Sequence, residues 1–175
     1  MLSVGQNAPP FVVSDVYMKT VKLESGKKKV LGFLRYIGCP YCQRDIMKLI
    51  SNRKNFEKAD VILFSHSPAD VLKKYLDKLF DFPFKMVSDP QKLIYKMYGV
   101  EDGNVLDFVS PSAIIDNLKT LPTLRDYKFV PGGIDKNFYT RPAFFVIDEN
   151  NVIKYIYRAK NVADSFDIDD LLKYL

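Results

Sequence analysis

The chain has 175 residues, a length typical of one domain with a single hydrophobic core, so we expect residues 1–175 to fold as one unit. Hydrophobic residues make up 47% and charged residues 27%, a balance typical of a globular protein and not of a disordered one. The net charge is +5, but the longest basic run, Lys27 to Lys29, follows Ser25-Gly26 and fits a solvated turn, which argues against nucleic-acid binding.

The amino terminus lacks the basic start and apolar core of a secretory signal, and no apolar stretch approaches the length that crosses a membrane. We therefore expect no membrane association and a cytoplasmic location. In a reducing cytoplasm, two cysteines separated by two residues are more often catalytic or metal-binding than structural.

Short strands are predicted in the first third of the chain. After the extended lead-in of residues 8–10, two apolar runs at 11–13 and 20–23 favour a hairpin, which forms an amino-terminal extension. Residues 30–36 form a near-continuous apolar run, the pattern of a central strand that is covered on both faces.

The only two cysteines follow this strand, in the sequence Gly-Cys-Pro-Tyr-Cys at residues 38–42, and apolar residues recur at helical spacing beyond them. A residue of capping type before a proline predicts that Cys39 is the N-cap and Pro40 the first helical residue. The N–H groups at a helix start stabilise a thiolate, whereas a disulfide here would close too short a loop to stabilise the fold much. We therefore predict redox chemistry at Cys39 and Cys42.

The remaining elements alternate between buried strands and amphipathic helices. Capping types before proline recur at Ser67-Pro68 and Asp89-Pro90, which predicts two further helix starts. His66 directly follows a strand, where a loop histidine most often meets solvent. The predicted elements are a strand at 61–64, a helix through 72–79, a strand at 82–88, a short helix closed by Gly99, an insertion at about 101–138 with one helix at 112–119, a hairpin of 143–147 and 152–157, and a last helix at 167–175.

Four stretches of the sequence, in this order, resemble the alkyl hydroperoxide reductase/thiol-specific antioxidant family, the peroxiredoxin-like proteins of the thioredoxin fold. They are residues 4–9, 33–42, 82–100 and 141–148. Together they span nearly the whole chain. The resemblance implies an α/β thioredoxin fold with a central mixed sheet flanked by helices.

The resemblance also suggests two different roles for the cysteines. The family pattern Pro-x-x-x-Thr/Ser-x-x-Cys would make Cys42 the peroxidatic residue and Cys39 the resolving one. Here Arg35 stands at the proline position and Cys39 at the threonine position, so the usual peroxide pocket is altered. The motif Cys-Pro-Tyr-Cys is that of glutaredoxins, in which Cys39 would attack first.

Pro142 is a third candidate catalytic residue, and Pro40, Tyr41, Arg35 and Arg141 are supporting candidates. The second arginine of the family aligns with Pro142, which resembles the cis-proline that thioredoxins hold against their two cysteines. Arg141 and Arg35 are candidates to stabilise a thiolate, and Tyr41 to shape partner contacts.

We therefore predict a thiol-based oxidoreductase that cycles Cys39 and Cys42 between dithiol and disulfide without a bound cofactor. Its substrate is a disulfide or a hydroperoxide, and its reductant a thiol such as thioredoxin, glutaredoxin or glutathione. The alternatives are a peroxidase with Cys42 peroxidatic, and a non-enzymatic binding module with idle or metal-binding cysteines. A zinc site is disfavoured because zinc prefers four ligands and the chain has one histidine.

Overall fold

The computed structural model describes residues 1–79, 81–104, 110–125, 139–161 and 163–175. The strands are β1 (Val12–Ser14), β2 (Thr20–Lys22), β3 (Lys28–Phe33), β4 (Ala59–Ser65), β5 (Lys85–Ser88), β6 (Ala143–Ile147) and β7 (Ile153–Arg158). The α-helices are α1 (Pro40–Ser51), α2 (Ala69–Leu76), α3 (Leu93–Met97), α4 (Pro111–Thr120) and α5 (Ile168–Leu172), and 3-10 turns span Arg53–Phe56 and Leu121–Leu124.

The strands form a small hairpin and one mixed sheet. β1 and β2 pair antiparallel, as predicted, and the main sheet has the order β5-β4-β3-β6-β7. β3 pairs parallel with β4 and antiparallel with β6, so the strand that precedes the cysteines is the centre of the sheet. The predicted mixed sheet is confirmed.

Both faces of the sheet are covered, which is why β3 is apolar from Val30 to its end at Phe33. Alternate residues of β3 contribute to two separate cores, with Val30 in one and Leu31 and Phe33 in the other. Helices α1, α2 and α5 pack on the first face, and α3 packs on the second with residues of the amino-terminal extension.

The glycine near the carboxyl end of β3 is required by close packing on both sides. A Cβ on Gly32 would lie 2.6 Å from a side-chain carbon of Leu63 on β4 and 2.6 Å from one of Phe144 on β6. The two neighbouring strands therefore fill the space that any larger side chain would need.

Two helices begin differently from the prediction. α2 begins at Ala69 with Pro68 as the N-cap, because the Ser67 hydroxyl accepts the N–H of Ile37 at 2.9 Å instead. α3 begins at Leu93, three residues beyond Pro90, yet the carboxylate of Asp89 still accepts the N–H of Leu93 at 2.9 Å.

The base of the predicted insertion is closed by polar contacts. The N–H of Gly103 donates to the carbonyl of Tyr139 at 2.7 Å, and Asp102 forms an isolated β-bridge with Thr140. The ammonium of Lys92 binds the carboxylate of Asp102 at 2.5 Å and the hydroxyl of Thr140 at 2.6 Å. The predicted helix of the insertion is present as α4, and residues 105–109 and 126–138 of this region lie outside the described residues.

Among the helices that the structure describes, none combines the length and the apolar character that a membrane span requires.

Candidate active site

The loop that carries the first cysteine begins at the carboxyl end of β3, beside the parallel strand β4. The N–H of Leu34 donates to the carbonyl of Phe64 at 2.9 Å, which extends the pairing of β3 with β4 by one residue. The hydroxyl of Tyr95, on α3, donates to the same carbonyl at 2.9 Å and also to that of Leu34. Tyr95 therefore fixes the point at which the chain turns away from the sheet.

Serines at the end of β4 hold the next residues of this loop. The hydroxyl of Ser65 donates to the carbonyl of Arg35 at 2.9 Å, while Ser67 accepts the N–H of Ile37. From α1, the amide of Gln43 donates to the Ile37 carbonyl at 3.1 Å. The backbone before the cysteines is thus fixed from both neighbouring elements, as a precise thiol geometry requires.

Cys39 is the N-cap of α1, as predicted. Its backbone is extended, with φ −78° and ψ 120°, and its carbonyl accepts the N–H of Gln43 at 3.1 Å. Pro40 is the first helical residue, where the absence of an N–H costs nothing. Both cysteines are free thiols, and Cys39 is only 3% exposed and Cys42 fully buried.

The environment makes the two thiols unequal. A hydrogen bond from Cys42 lowers the pKa of Cys39 from 9.0 to about 6, against the opposing effect of burial and with further help from the charge of Arg35. Backbone N–H groups of Cys42 and Tyr41 add to this lowering of the Cys39 pKa, although the sulfur makes no formal capping hydrogen bond. Burial and the hydrogen bond to Cys39 instead raise the pKa of Cys42 well above the ordinary value. At neutral pH the sulfur of Cys39 is therefore far more readily ionised than that of Cys42.

Arg35 is the arginine that acts on the thiols. It is 2% exposed, and although burial opposes its charge, the nearby sulfurs of Cys39 and Cys42 raise its pKa. Its guanidinium carbon lies 5.7 Å from the centre of the Tyr41 ring, and that of Arg44 lies 5.6 Å from the same ring. Tyr41 therefore stands against two cations, with its hydroxyl donating to Asn117 of α4.

The structure places Arg141 and Pro142 differently from the prediction. Arg141 lines a small cavity of about 70 Å³ with Met1, Gly99 and Arg158. The prediction that Pro142 follows a cis peptide bond is wrong, because the bond is trans. The Pro142 carbonyl accepts the N–H of Ala159 at 2.8 Å, so the residue continues the extended pairing of β6 with β7.

One carboxylate near the thiols was not predicted from the sequence. Asp45 lies one helical turn beyond Cys42, is 1% exposed, and accepts hydrogen bonds from the Ser165 hydroxyl at 2.7 Å and from Arg44. Burial raises the pKa of Asp45, and its charge contributes to raising that of Cys42. The spacing of Asp45 from Cys42 was a signal, since residues three apart share a helix face.

His66 is also placed differently from the prediction. It is fully buried, and its ring centroid lies 6.3 Å from that of Tyr36 and 6.4 Å from that of Tyr95. Within the described part of the chain, no group of three or more His, Cys, Asp or Glu side chains is arranged to hold a metal ion.

The chain is similar in sequence to known thiol proteins. The model of the AhpC/TSA family matches residues 4–156. A thiol-disulfide oxidoreductase, ResA, from Bacillus thuringiensis subsp. konkukian is 28% identical over 103 residues, which cover 57% of this chain and 59% of that protein. The match thus spans less than two thirds of that relative's length.

Solved structures of similar fold cover nearly the whole chain. A peroxiredoxin-like protein from Aquifex aeolicus superposes with a TM-score of 0.71 at 17% identity, covering 98% of this chain and 85% of that one. The yeast mitochondrial 1-Cys peroxiredoxin, whose thiol-resolving mechanism runs via glutathione/thioredoxin systems, gives a TM-score of 0.68 at 15% identity, covering 98% and 74%. These similarities confirm the predicted fold class.

Proposed function

Because the chain belongs to the AhpC/TSA family, we propose that it is a thiol-dependent oxidoreductase in which Cys39 attacks first and Cys42 resolves. The main support for this order is that the pKa of Cys39 is lowered while that of Cys42 is raised. Cys39 is therefore a thiolate and Cys42 a thiol at neutral pH. The similarity to a thiol-disulfide oxidoreductase supports a disulfide as the first substrate class.

The proposed cycle moves two electrons from the dithiol to the substrate. The thiolate of Cys39 attacks one sulfur of the substrate disulfide, forms a mixed disulfide and expels the other sulfur as a thiolate. Cys42 then loses its proton and attacks the sulfur of Cys39, which expels the second substrate thiol. The resulting Cys39–Cys42 disulfide is reduced by an external dithiol, or by two monothiols.

Each protein group has a separate part in this cycle. Arg35 and the amino terminus of α1 stabilise the Cys39 thiolate before attack and again when Cys39 is the leaving group. Asp45 is the carboxylate nearest in sequence to Cys42 on its own helix face, and with its raised pKa it is suited to take up the Cys42 proton. Ser65, at the end of β4, and Ser67, just beyond it, hold the loop in place.

A hydroperoxide is the second candidate substrate, favoured by the family. In that reaction the attacking thiolate takes the terminal peroxide oxygen as a sulfenic acid and releases an alcohol or water. The thiol of the other cysteine then attacks the sulfenic acid sulfur, which forms the disulfide and releases one water. For Cys42 to attack first, a fully buried thiol of raised pKa would have to ionise, which favours Cys39 in this reaction also.

We further propose thioredoxin, glutaredoxin or glutathione as the reductant and a reducing compartment such as the cytoplasm as the location. The similarity to the yeast 1-Cys peroxiredoxin, whose thiol is resolved via glutathione/thioredoxin systems, supports this class of reductant. A reducing pool would keep both cysteines in the thiol form that the proposed cycle needs.

The test measures disulfide reduction and peroxide consumption side by side on two single-cysteine variants. Cys42→Ser should accumulate a stable mixed disulfide through Cys39, because attack needs only the first thiol. Cys39→Ser should react slowly with both substrates. Rapid, saturable oxidation of Cys42 by peroxide in Cys39→Ser would refute the assignment and make Cys42 the peroxidatic residue.

A further inference from the structure

The two thiols are closed to solvent, although reactive cysteines are normally partly exposed. Cys39 is 3% exposed and Cys42 fully buried. Attack on a disulfide requires the thiolate to approach along the sulfur–sulfur bond, so a bulky substrate cannot react with the closed form. Some covering element must therefore move.

Helix α4 contacts Tyr41, one of the two residues between the cysteines. The side-chain carbonyl of Asn117 accepts the hydrogen bond of the Tyr41 hydroxyl. The adjacent residue, Asp116, accepts the amide N–H of Asn161 at 2.8 Å, from the segment that follows β7. Two neighbouring side chains of α4 thus bind two different elements, α1 and the segment that follows β7.

The apolar attachment of α4 is slight. Of its side chains that the structure describes, Ala113 is the only buried one, while Ile114, Ile115 and Leu118 are 49%, 51% and 63% exposed. A helix that buries so little apolar surface is held mainly by its specific polar contacts, and it opens more easily than the core helices.

We infer that α4 is a lid over the dithiol and that Asn117 and Asp116 are the residues that keep it closed. With the contacts to Tyr41 and Asn161 made, small molecules reach Cys39 more readily than bulky ones, and protein disulfides react only after the lid lifts. The role of the lid in selecting substrates rests on the proposed function. The access of reagents to Cys39 can be measured without any enzymatic turnover.

The test compares two alkylating reagents of different size, iodoacetamide and a polyethylene-glycol maleimide, at one pH. Modification of Cys39 is followed by mass spectrometry in the parent chain, Asn117→Ala and Asn161→Ala. Each variant should increase the rate at which the bulky reagent modifies Cys39 about fivefold more than it increases the rate for the small reagent. This factor corresponds to the loss of one hydrogen bond with a net contribution of about 1 kcal/mol. Lys119→Ala, an exposed change on the same helix, is the matched control and should change neither rate.

Two further outcomes decide the inference. Tyr41→Phe removes the hydroxyl that binds Asn117 and leaves α4 unaltered, so it should reproduce the size-dependent effect even where Asn117→Ala disturbs the helix. Equal acceleration of both reagents would mean a change in thiol reactivity and would overturn the lid, as would unchanged rates in Asn117→Ala and Tyr41→Phe. A size-dependent response without reduction of any substrate would refute the proposed function alone.

Discussion

The strongest test of the site's electrostatics is to remove the buried charge beside the thiols with Arg35→Met. The shift of the Cys39 pKa from 9.0 to about 6 corresponds to about 4 kcal/mol in favour of the thiolate. An opposite charge at close range supplies roughly 1–3 pKa units of such a shift. The variant should therefore raise the Cys39 pKa to about 7 or above, and the thiolate fraction at pH 7 should fall from about 90% to about 50% or less.

The assay is the rate of iodoacetamide alkylation of Cys39 between pH 4 and 10, with circular dichroism to confirm folding. Arg44→Met is the matched control, because Arg44 lies against the same Tyr41 ring but pairs with Asp45 at 3.1 Å. It should move the Cys39 midpoint less than Arg35→Met does. A midpoint that stays near 6 in Arg35→Met, or one that moves equally in both variants, would show that Arg35 does not set the acidity of Cys39.

Three further predictions concern the sheet and the resolving thiol. Gly32→Ala should destabilise the fold by roughly 1–3 kcal/mol in urea unfolding, because its Cβ would lie 2.6 Å from side chains of both neighbouring strands; an unchanged midpoint would contradict this packing. Tyr95→Phe should cost roughly 1–3 kcal/mol, since it removes the donor to two buried carbonyls, and thermal unfolding should record the loss. Asp45→Asn should lower the pKa of Cys42, because it removes a negative charge, and alkylation in a chain with Cys39 replaced by serine measures that pKa. In the chain with both cysteines, the same change should lengthen the life of a mixed disulfide, because the group that takes up the Cys42 proton is lost. A Cys42 pKa that does not fall would exclude a charge effect of Asp45.

Some features of the site were predictable because neighbouring residues encode them. The capping slot of Cys39, the proline after it and the apolar strand before it lie within a few positions of one another. Strand β6 was placed correctly because a buried, apolar strand produces an uninterrupted run of its own.

Features that depend on distant contacts were not predictable from local patterns. Asp45 binds Ser165 across 120 positions, and Tyr41 binds Asn117 across 76, so neither contact leaves a local signal. Ser67 has the sequence of an N-cap but binds the loop before the cysteines instead, which moves the start of α2.

The closed base of the insertion has a consequence for how this scaffold can diverge. The chain enters and leaves at Gly103 and Tyr139, whose backbones are hydrogen-bonded at 2.7 Å. Because those two residues are held together, the length of chain between them has little effect on the stability of the fold. Each doubling of a flexible loop costs only about 0.6 kcal/mol of closure entropy. The segment that carries α4 can therefore change in length and sequence during evolution. Such changes would alter which molecules reach the cysteines, while the sheet and its sulfur chemistry stay the same.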